Sequence, residues 1–309
     1  MKAGSSQPQA SGFSPSPHSC ASDGDKVSKF LVSLPPILLA LALSACVHRG
    51  PTVDPARMAL YVRQITLYDH PLEVHFARPR QILPLRPMLL YATGDGGFHG
   101  NDRAIFDALA SFGYPVAGFS ARNYLKNLGY VADTTTPQRL AIDYRRLIEF
   151  SEKSLELPPN TPVILVGVSR GAGLAVVAAG QRMVRNGLAG VLAIALTKEE
   201  EYVRHYRVRP GRTPPGMPRR ELVMIETYEY LPRLSSLRVS VIQSTRDNYL
   251  PADEARQLFG PDTADRQLHP IKAWDHSFAG ARDELYARME QSLDWISSVL
   301  VPALPAVGR

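Results

Sequence analysis

The sequence predicts an α/β domain in which a mostly parallel central sheet carries helices on both faces. Three observations lead there. Strand-like and helix-like segments alternate from about Tyr61 onward, the pattern of successive β-α-β units. The chain has 309 residues, 45% of them hydrophobic and 21% charged, enough apolar material for one large core. No period of roughly 20 to 50 residues recurs, which argues against solenoids and propellers.

The elements follow in order. "YVRQITLY" and "LEVHFA" have period-two patterns that predict a hairpin at the sheet edge. "PMLLYAT" is a buried strand, and "DRAIFDALASFG" a helix that Asn101 or Asp102 can cap and Gly113 ends. "YPVAGFS" is the next strand. Thr136 and Pro137 then open a long amphipathic helix to about Ser154, with apolar or aromatic positions at Leu140, Tyr144, Leu147, Ile148 and Phe150. "PVILVGV" is a strand, "RGAGLAVVAAGQRMV" a helix, "GVLAIAL" and "RVSVIQS" strands, and "DELYARMEQSLDWISSVL" the closing helix.

Residues 1–45 read differently. The first 25 are rich in Ser, Pro, Gly and Ala without apolar periodicity, a composition expected to stay disordered. Lys26 and Lys29 then precede "FLVSLPPILLALALSAC". Its apolar run is shorter than the ~20 residues of a membrane span and is broken by Pro35 and Pro36, as in a signal peptide; an uncleaved anchor is the alternative. The stretch before Phe30 is long for the charged region of such a peptide, so the expected translation start lies nearer Val27. Residues 43–46, Leu-Ser-Ala-Cys, resemble the lipobox of bacterial lipoproteins, in which Cys46 becomes the lipidated first residue. The expected product is periplasmic and held to the membrane by a lipid at Cys46. Residues 46–60 then serve as a linker to a domain at 61–301.

Within the domain, periodicity lapses between Lys198 and Leu237, where "RVRPGRTPPGMPRR" holds five arginines and no acid. Residues 198–237 are expected either to form a cap over the site, as insertions after a strand's carboxyl end do, or to run as a solvated surface loop.

Cysteine and charge narrow the chemistry. Cys20 and Cys46 are the only cysteines and lie in or at the edge of the leader, which excludes disulfides, cysteine nucleophiles and thiolate metal sites from the domain. The formal charge is +6, of which the leader carries +1 and the remainder +5. That balance favours anionic surfaces such as lipid headgroups and is too diffuse for nucleic acid. The histidines have no metal-binding spacing, and neither G-x-G-x-x-G nor a P-loop is present, so no metal and no cofactor are expected.

One stretch carries a chemical signature. In "VILVGVSRGAG", Gly167 and Gly171 bracket Ser169 as G-x-S-x-G between a strand and a helix. A nucleophilic serine sits on such a turn because the tight strand-to-helix junction forces it into a strained conformation, and side chains two residues away on either side would clash. A serine hydroxyl needs a neutral imidazole to take its proton and a carboxylate to orient that imidazole. In this order of elements the acid follows the serine and the histidine comes last. His276, in a loop before the closing helix, is the expected base; His269, within "RQLHPIKA", is expected to face solvent or the sheet. Asp247, three residues past Ser244, is the expected acid. Asp253 and Glu254 read as first-turn helix residues, and Asp275 as a solvated charge. The oxyanion of the reaction is expected to meet backbone amides of "GDGGF", from Gly94, Asp95, Gly96 and Gly97, together with the amide of Arg170 at the start of the helix.

"GDGGF", "FGYPVAGFSARNYL", "TTTPQRLAIDYRRLIEF" and "GVSRGAG" together resemble the bacterial AcvB/VirJ virulence-protein family over residues 91–180. The resemblance implies an α/β-hydrolase fold, with Ser169 as nucleophile and residues 94–97 at the oxyanion site. It also implies the aminoacyl ester of lysyl-phosphatidylglycerol as substrate. This sequence departs from the family at Arg170, where an aromatic is usual, and in the region of the acid. Three functions are consistent with these residues: an exported serine hydrolase with a small-molecule or lipid ester as substrate, a peptidase or cell-wall esterase, and a non-catalytic lipoprotein that uses the fold as an interaction scaffold.

Overall fold

The computed structural model describes residues 51–81, 86–129, 136–201 and 224–300, all within one compact unit that begins at Arg49. The leader with Cys46 and the arginine-rich centre of the insertion, 202–223, lie outside the described residues.

The strands are β1 (Met58–Leu67), β2 (His70–Pro79), β3 (Met88–Ala92), β4 (Val116–Phe119), β5 (Val163–Val168), β6 (Leu188–Ile194), β7 (Glu199–Glu201), β8 (Met224–Glu226), β9 (Arg238–Ser244) and β10 (Arg266–Ile271). Eight of them form one sheet in the order β1-β2-β4-β3-β5-β6-β9-β10. The edge hairpin β1–β2 is antiparallel and β2 is antiparallel to β4; every pairing from β4 to β10 is parallel. The hairpin turns through Tyr68 and Asp69, both at positive φ, which matches the right-handed twist of the flanking strands. The parallel strands are apolar at nearly every position because both faces are covered.

Among the described residues the α-helices longer than one turn are α1 (Gly100–Ser111), α2 (Ala121–Leu128), α3 (Pro137–Ser154), α4 (Arg170–Ala179), α5 (Ala252–Phe259) and α6 (Arg282–Ser297). Strand side chains alternate between two core layers. Leu90, Ala92, Val163 and Leu165 pack with α2 to α5, while Leu89, Tyr91, Ile164 and Val166 pack with α1 and α6. The fold is therefore a mostly parallel sheet between two helical layers.

Local chemistry explains most boundaries. Thr136 Oγ1 accepts from Arg139 N at 3.2 Å with Pro137 in the first turn, so α3 starts where its residues predict. Two expectations are corrected. The helix predicted through residue 184 is interrupted at Gly180, its C-cap, and resumes as a single turn at Arg182–Arg185; a Cβ at Gly180 would lie 2.9 Å from the Tyr230 ring. Neither Asn101 nor Asp102 caps α1; the N-cap is His99, without a side-chain bond, and Asp102 is buried for another purpose. Ser120 caps the unanticipated α2, accepting from Asn123 N at 3.2 Å. The described ends of the insertion pair as the ribbon β7–β8.

Candidate active site

The parallel strands all point their carboxyl ends the same way, and a cavity of about 590 Å³ opens there. Ser169, His276, Gly94, Asp95, Gly96 and Arg170 line it, together with Lys198, Glu199, Glu200 and Met224 from the ends of the insertion.

Ser169 follows β5 at φ 51° and ψ −119°. Its amide donates to Ile194 O at 2.8 Å, and its carbonyl accepts from Ala172 N at 2.8 Å and Gly173 N at 3.1 Å. The backbone is held at three points while the hydroxyl neither caps α4 nor hydrogen bonds to any described residue. A Cβ on Gly167 would lie 2.2 Å from Gly171 O, and one on Gly171 would lie 2.1 Å from Ala92 O. The first glycine admits the turn itself; the second admits the end of β3.

Asp247 is 2% exposed and fully engaged. Its Oδ1 accepts from Tyr249 N at 2.8 Å and Leu250 N at 3.3 Å, and its Oδ2 accepts from Gln243 Nε2 at 3.0 Å. Oδ2 also lies 2.7 Å from His276 Nδ1. A carboxylate at that distance selects the tautomer with the proton on Nδ1. His276 Nε2 is buried and has no hydrogen-bond partner among the described residues, and the Tyr249 ring packs against the imidazole in a T-shaped pair with centroids 4.8 Å apart. The structure thus joins Asp247 to His276 and sets Ser169 in the wall of the same cavity, with no hydrogen bond between Ser169 and His276. His269 lies in β10, half-buried, with its pKa lowered chiefly by burial, and does not line the cavity.

Asp275 is a part-exposed charge, as its sequence position suggests, and it also has a structural role. Its Oδ1 accepts from Ser277 N at 2.9 Å, Ser277 Oγ at 2.8 Å and Ala279 N at 3.0 Å, which holds the carboxyl below its ordinary pKa and folds the loop that carries His276.

The amides of residues 94–97 are not equivalent, and two expected oxyanion contributors are corrected. Gly94 N donates to Asp102 Oδ1 at 2.8 Å, and Gly97 N donates to Gly94 O at 3.3 Å, so neither N–H faces the cavity unengaged. The amides of Asp95 and Gly96 make no hydrogen bond among the described residues. Asp102, read from sequence as a cap, instead anchors this loop from below; Tyr91 Oη also donates to it at 3.1 Å, yet burial raises its pKa. Arg170, the first residue of α4, is 8% exposed. Its guanidinium forms a two-pronged ion pair with Asp95, with Nη2 3.0 Å from Oδ2, and its Nη1 lies 3.7 Å from Glu200 Oε2. Among the described residues no group of three His, Cys, Asp or Glu side chains could hold a metal ion.

Residues 87–206 match the family described as bacterial virulence protein (VirJ). No curated protein matches the chain. Three solved structures share its architecture. Est1E from Butyrivibrio proteoclasticus is 13% identical, with 76% of this chain and 99% of that one covered at a TM-score of 0.51. A putative dienelactone hydrolase from Klebsiella pneumoniae is 13% identical, with 77% and 99% covered at 0.53. An alpha-beta serine hydrolase homologue from Coxiella burnetii is 15% identical, with 75% and 97% covered at 0.50. This is a protein of the α/β-hydrolase fold whose residues 87–206 match the VirJ family of bacterial virulence proteins.

Proposed function

We propose that the protein is an exported serine hydrolase that cleaves an ester, with Ser169 as nucleophile, His276 as general base and Asp247 as the acid that orients it. The observation that carries this reading is the 2.7 Å contact between Asp247 Oδ2 and His276 Nδ1 in a cavity that Ser169 also lines. A carboxylate on Nδ1 leaves Nε2 as an acceptor, and both Nε2 and the Ser169 hydroxyl are otherwise unengaged among the described residues. Ser169 Oγ attacks the acyl carbon as Nε2 takes its proton. The N–H groups of Asp95 and Arg170 donate to the carbonyl oxygen as it becomes an oxyanion. Collapse expels the alcohol, which takes the proton back from His276, and a water repeats the sequence on the acyl-enzyme to release the acid.

Through the family resemblance, the proposed ester is the aminoacyl ester of lysyl-phosphatidylglycerol. The exposed carboxylate of Glu199 in the cavity wall suits the amine of such an acyl group, while Asp95 and Glu200 face Arg170. Ser169→Ala is expected to abolish fluorophosphonate labelling and turnover of an activated ester while melting as the parent does; retained labelling overturns the assignment. Lipid extracts from cells with and without the active serine test the substrate, since accumulation of an aminoacyl lipid on loss of Ser169 is expected and an unchanged lipid profile removes it. Export and anchoring at Cys46 rest on the leader's lipobox-like end. Fatty-acid metabolic labelling should mark the protein and vanish in Cys46→Ser; an unlabelled parent refutes the anchor.

A further inference from the structure

The two residues whose amides are assigned to the oxyanion, Asp95 and Arg170, come from loops far apart in sequence, and their side chains are joined to each other. Arg170 begins α4 and Asp95 follows β3. The guanidinium fork meets both carboxylate oxygens of Asp95, and its remaining nitrogen faces Glu200 on β7, whose Oε1 accepts from Thr197 Oγ1 at 2.5 Å. Arg170 and Glu200 each have 9% of the side chain exposed, whereas the Asp95 side chain is 55% exposed. A planar, permanently charged fork fixes direction as well as distance, which a single charge on a flexible stem does not. The rest of the loop is restrained on its other side, where Asp102 holds Gly94 N. Asp95 itself has no backbone hydrogen bond to a described residue, so its side chain is its visible restraint.

We infer that the Arg170 side chain is a positioning residue, which ties the loop after β3 and the ribbon at β7 to the serine turn and so aims the Asp95 amide at the oxyanion. This rests on the hydrolase reading above. It separates two roles within one residue: the Arg170 amide donates to the oxyanion, and its guanidinium places the partner donor. Substitution at 170 by any residue other than proline keeps the amide N–H and removes the guanidinium with its contacts to Asp95 and Glu200.

The test uses the full chain with Ser169→Ala as reference, reading fluorophosphonate labelling rate, and kcat and KM on an activated ester. Asp95→Ala and Arg170→Met are each expected to lower kcat about 10- to 100-fold, less than the roughly 100- to 1,000-fold cost of removing an oxyanion donor outright, with KM changed by less than about threefold. The double variant should be close to the poorer single rather than to the product of the two losses, because both remove one linkage. Arg170→Lys, which keeps the charge and loses the fork, should restore only part of kcat. Should Arg170→Met fail to fold, Asp95→Ala decides alone, since its side chain is largely exposed. Parental kcat in Asp95→Ala, multiplicative losses in the double variant, or full recovery with Lys each overturn the linkage. If the parent labels, Ser169→Ala does not, and both single variants label at the parental rate, the hydrolase reading stands and the positioning role falls. If the parent does not label, both fall.

Discussion

Ser169 holds a positive φ that an L-residue adopts at a cost of about 1–3 kcal/mol, and its hydrogen bonds to Ile194 O and from Ala172 N and Gly173 N keep it there. Its position was legible because the bracketing glycines and the strand-to-helix context are local. Asp247 and His276 were legible by their place after particular strands. Asp102, Asp275 and Glu200 were not, because a carboxylate's role is set by which backbone amides and cations reach it, and those come from other segments. Asp102 permits a test of its burial. Its carboxyl pKa is raised, chiefly by desolvation, against the opposing hydrogen bonds from Gly94 and Tyr91. Just above the ordinary aspartate pKa of about 4, the native state therefore retains a proton the unfolded chain has lost, and stability falls as pH rises through that window. Asp102→Asn keeps an oxygen for Gly94 N and removes the ionisation. Denaturant unfolding should show the variant gaining on the parent as pH rises from about 4, then levelling off; a difference constant with pH contradicts the burial effect.

At the level of elements, the serine turn depends on three pieces of backbone passing within contact distance. Gly171→Ala would put a Cβ 2.1 Å from Ala92 O, an atom of the central strand β3 that cannot move cheaply. The expected loss is about 3 kcal/mol, read as a lower denaturation midpoint. Gly187→Ala, whose nearest neighbour would be Val184 O at 4.0 Å, serves as the control and should change stability by less than about 0.5 kcal/mol. Equal effects at the two positions would remove close approach as the reason for Gly171. The long helix α3 was legible to the residue because Thr136 and Pro137 are self-sufficient start signals. The break at Gly180 was not, since an isolated glycine in a helical pattern is often tolerated, and the Tyr230 ring beside it comes from fifty positions along the chain. The ribbon β7–β8 was hidden for a related reason: two three-residue strands have no periodicity to read, and only their pairing defines them.

For the molecule as a whole, one sheet serves both core layers, so the layers should melt together. Leu165 and Leu192 are fully buried on opposite faces of the sheet. Leu165→Ala and Leu192→Ala should each cost about 3 kcal/mol and leave a single calorimetric transition. Two resolved transitions in either variant would show the layers to be independent. By itself the sequence determined the alternation of strands and helices, the strained serine turn and the long capped helix, because propensity, capping and glycine conformation act over a few neighbouring residues. The tertiary structure alone decided the rest. It set the 2.7 Å contact between Asp247 and His276 that their order only implied, turned Asp102 from an expected cap into a buried anchor, engaged the Gly94 and Gly97 amides, and joined Arg170 to Asp95 and Glu200. Those contacts depend on how strands stack in the sheet and how loops converge at its carboxyl edge, distances that no local pattern in the chain encodes.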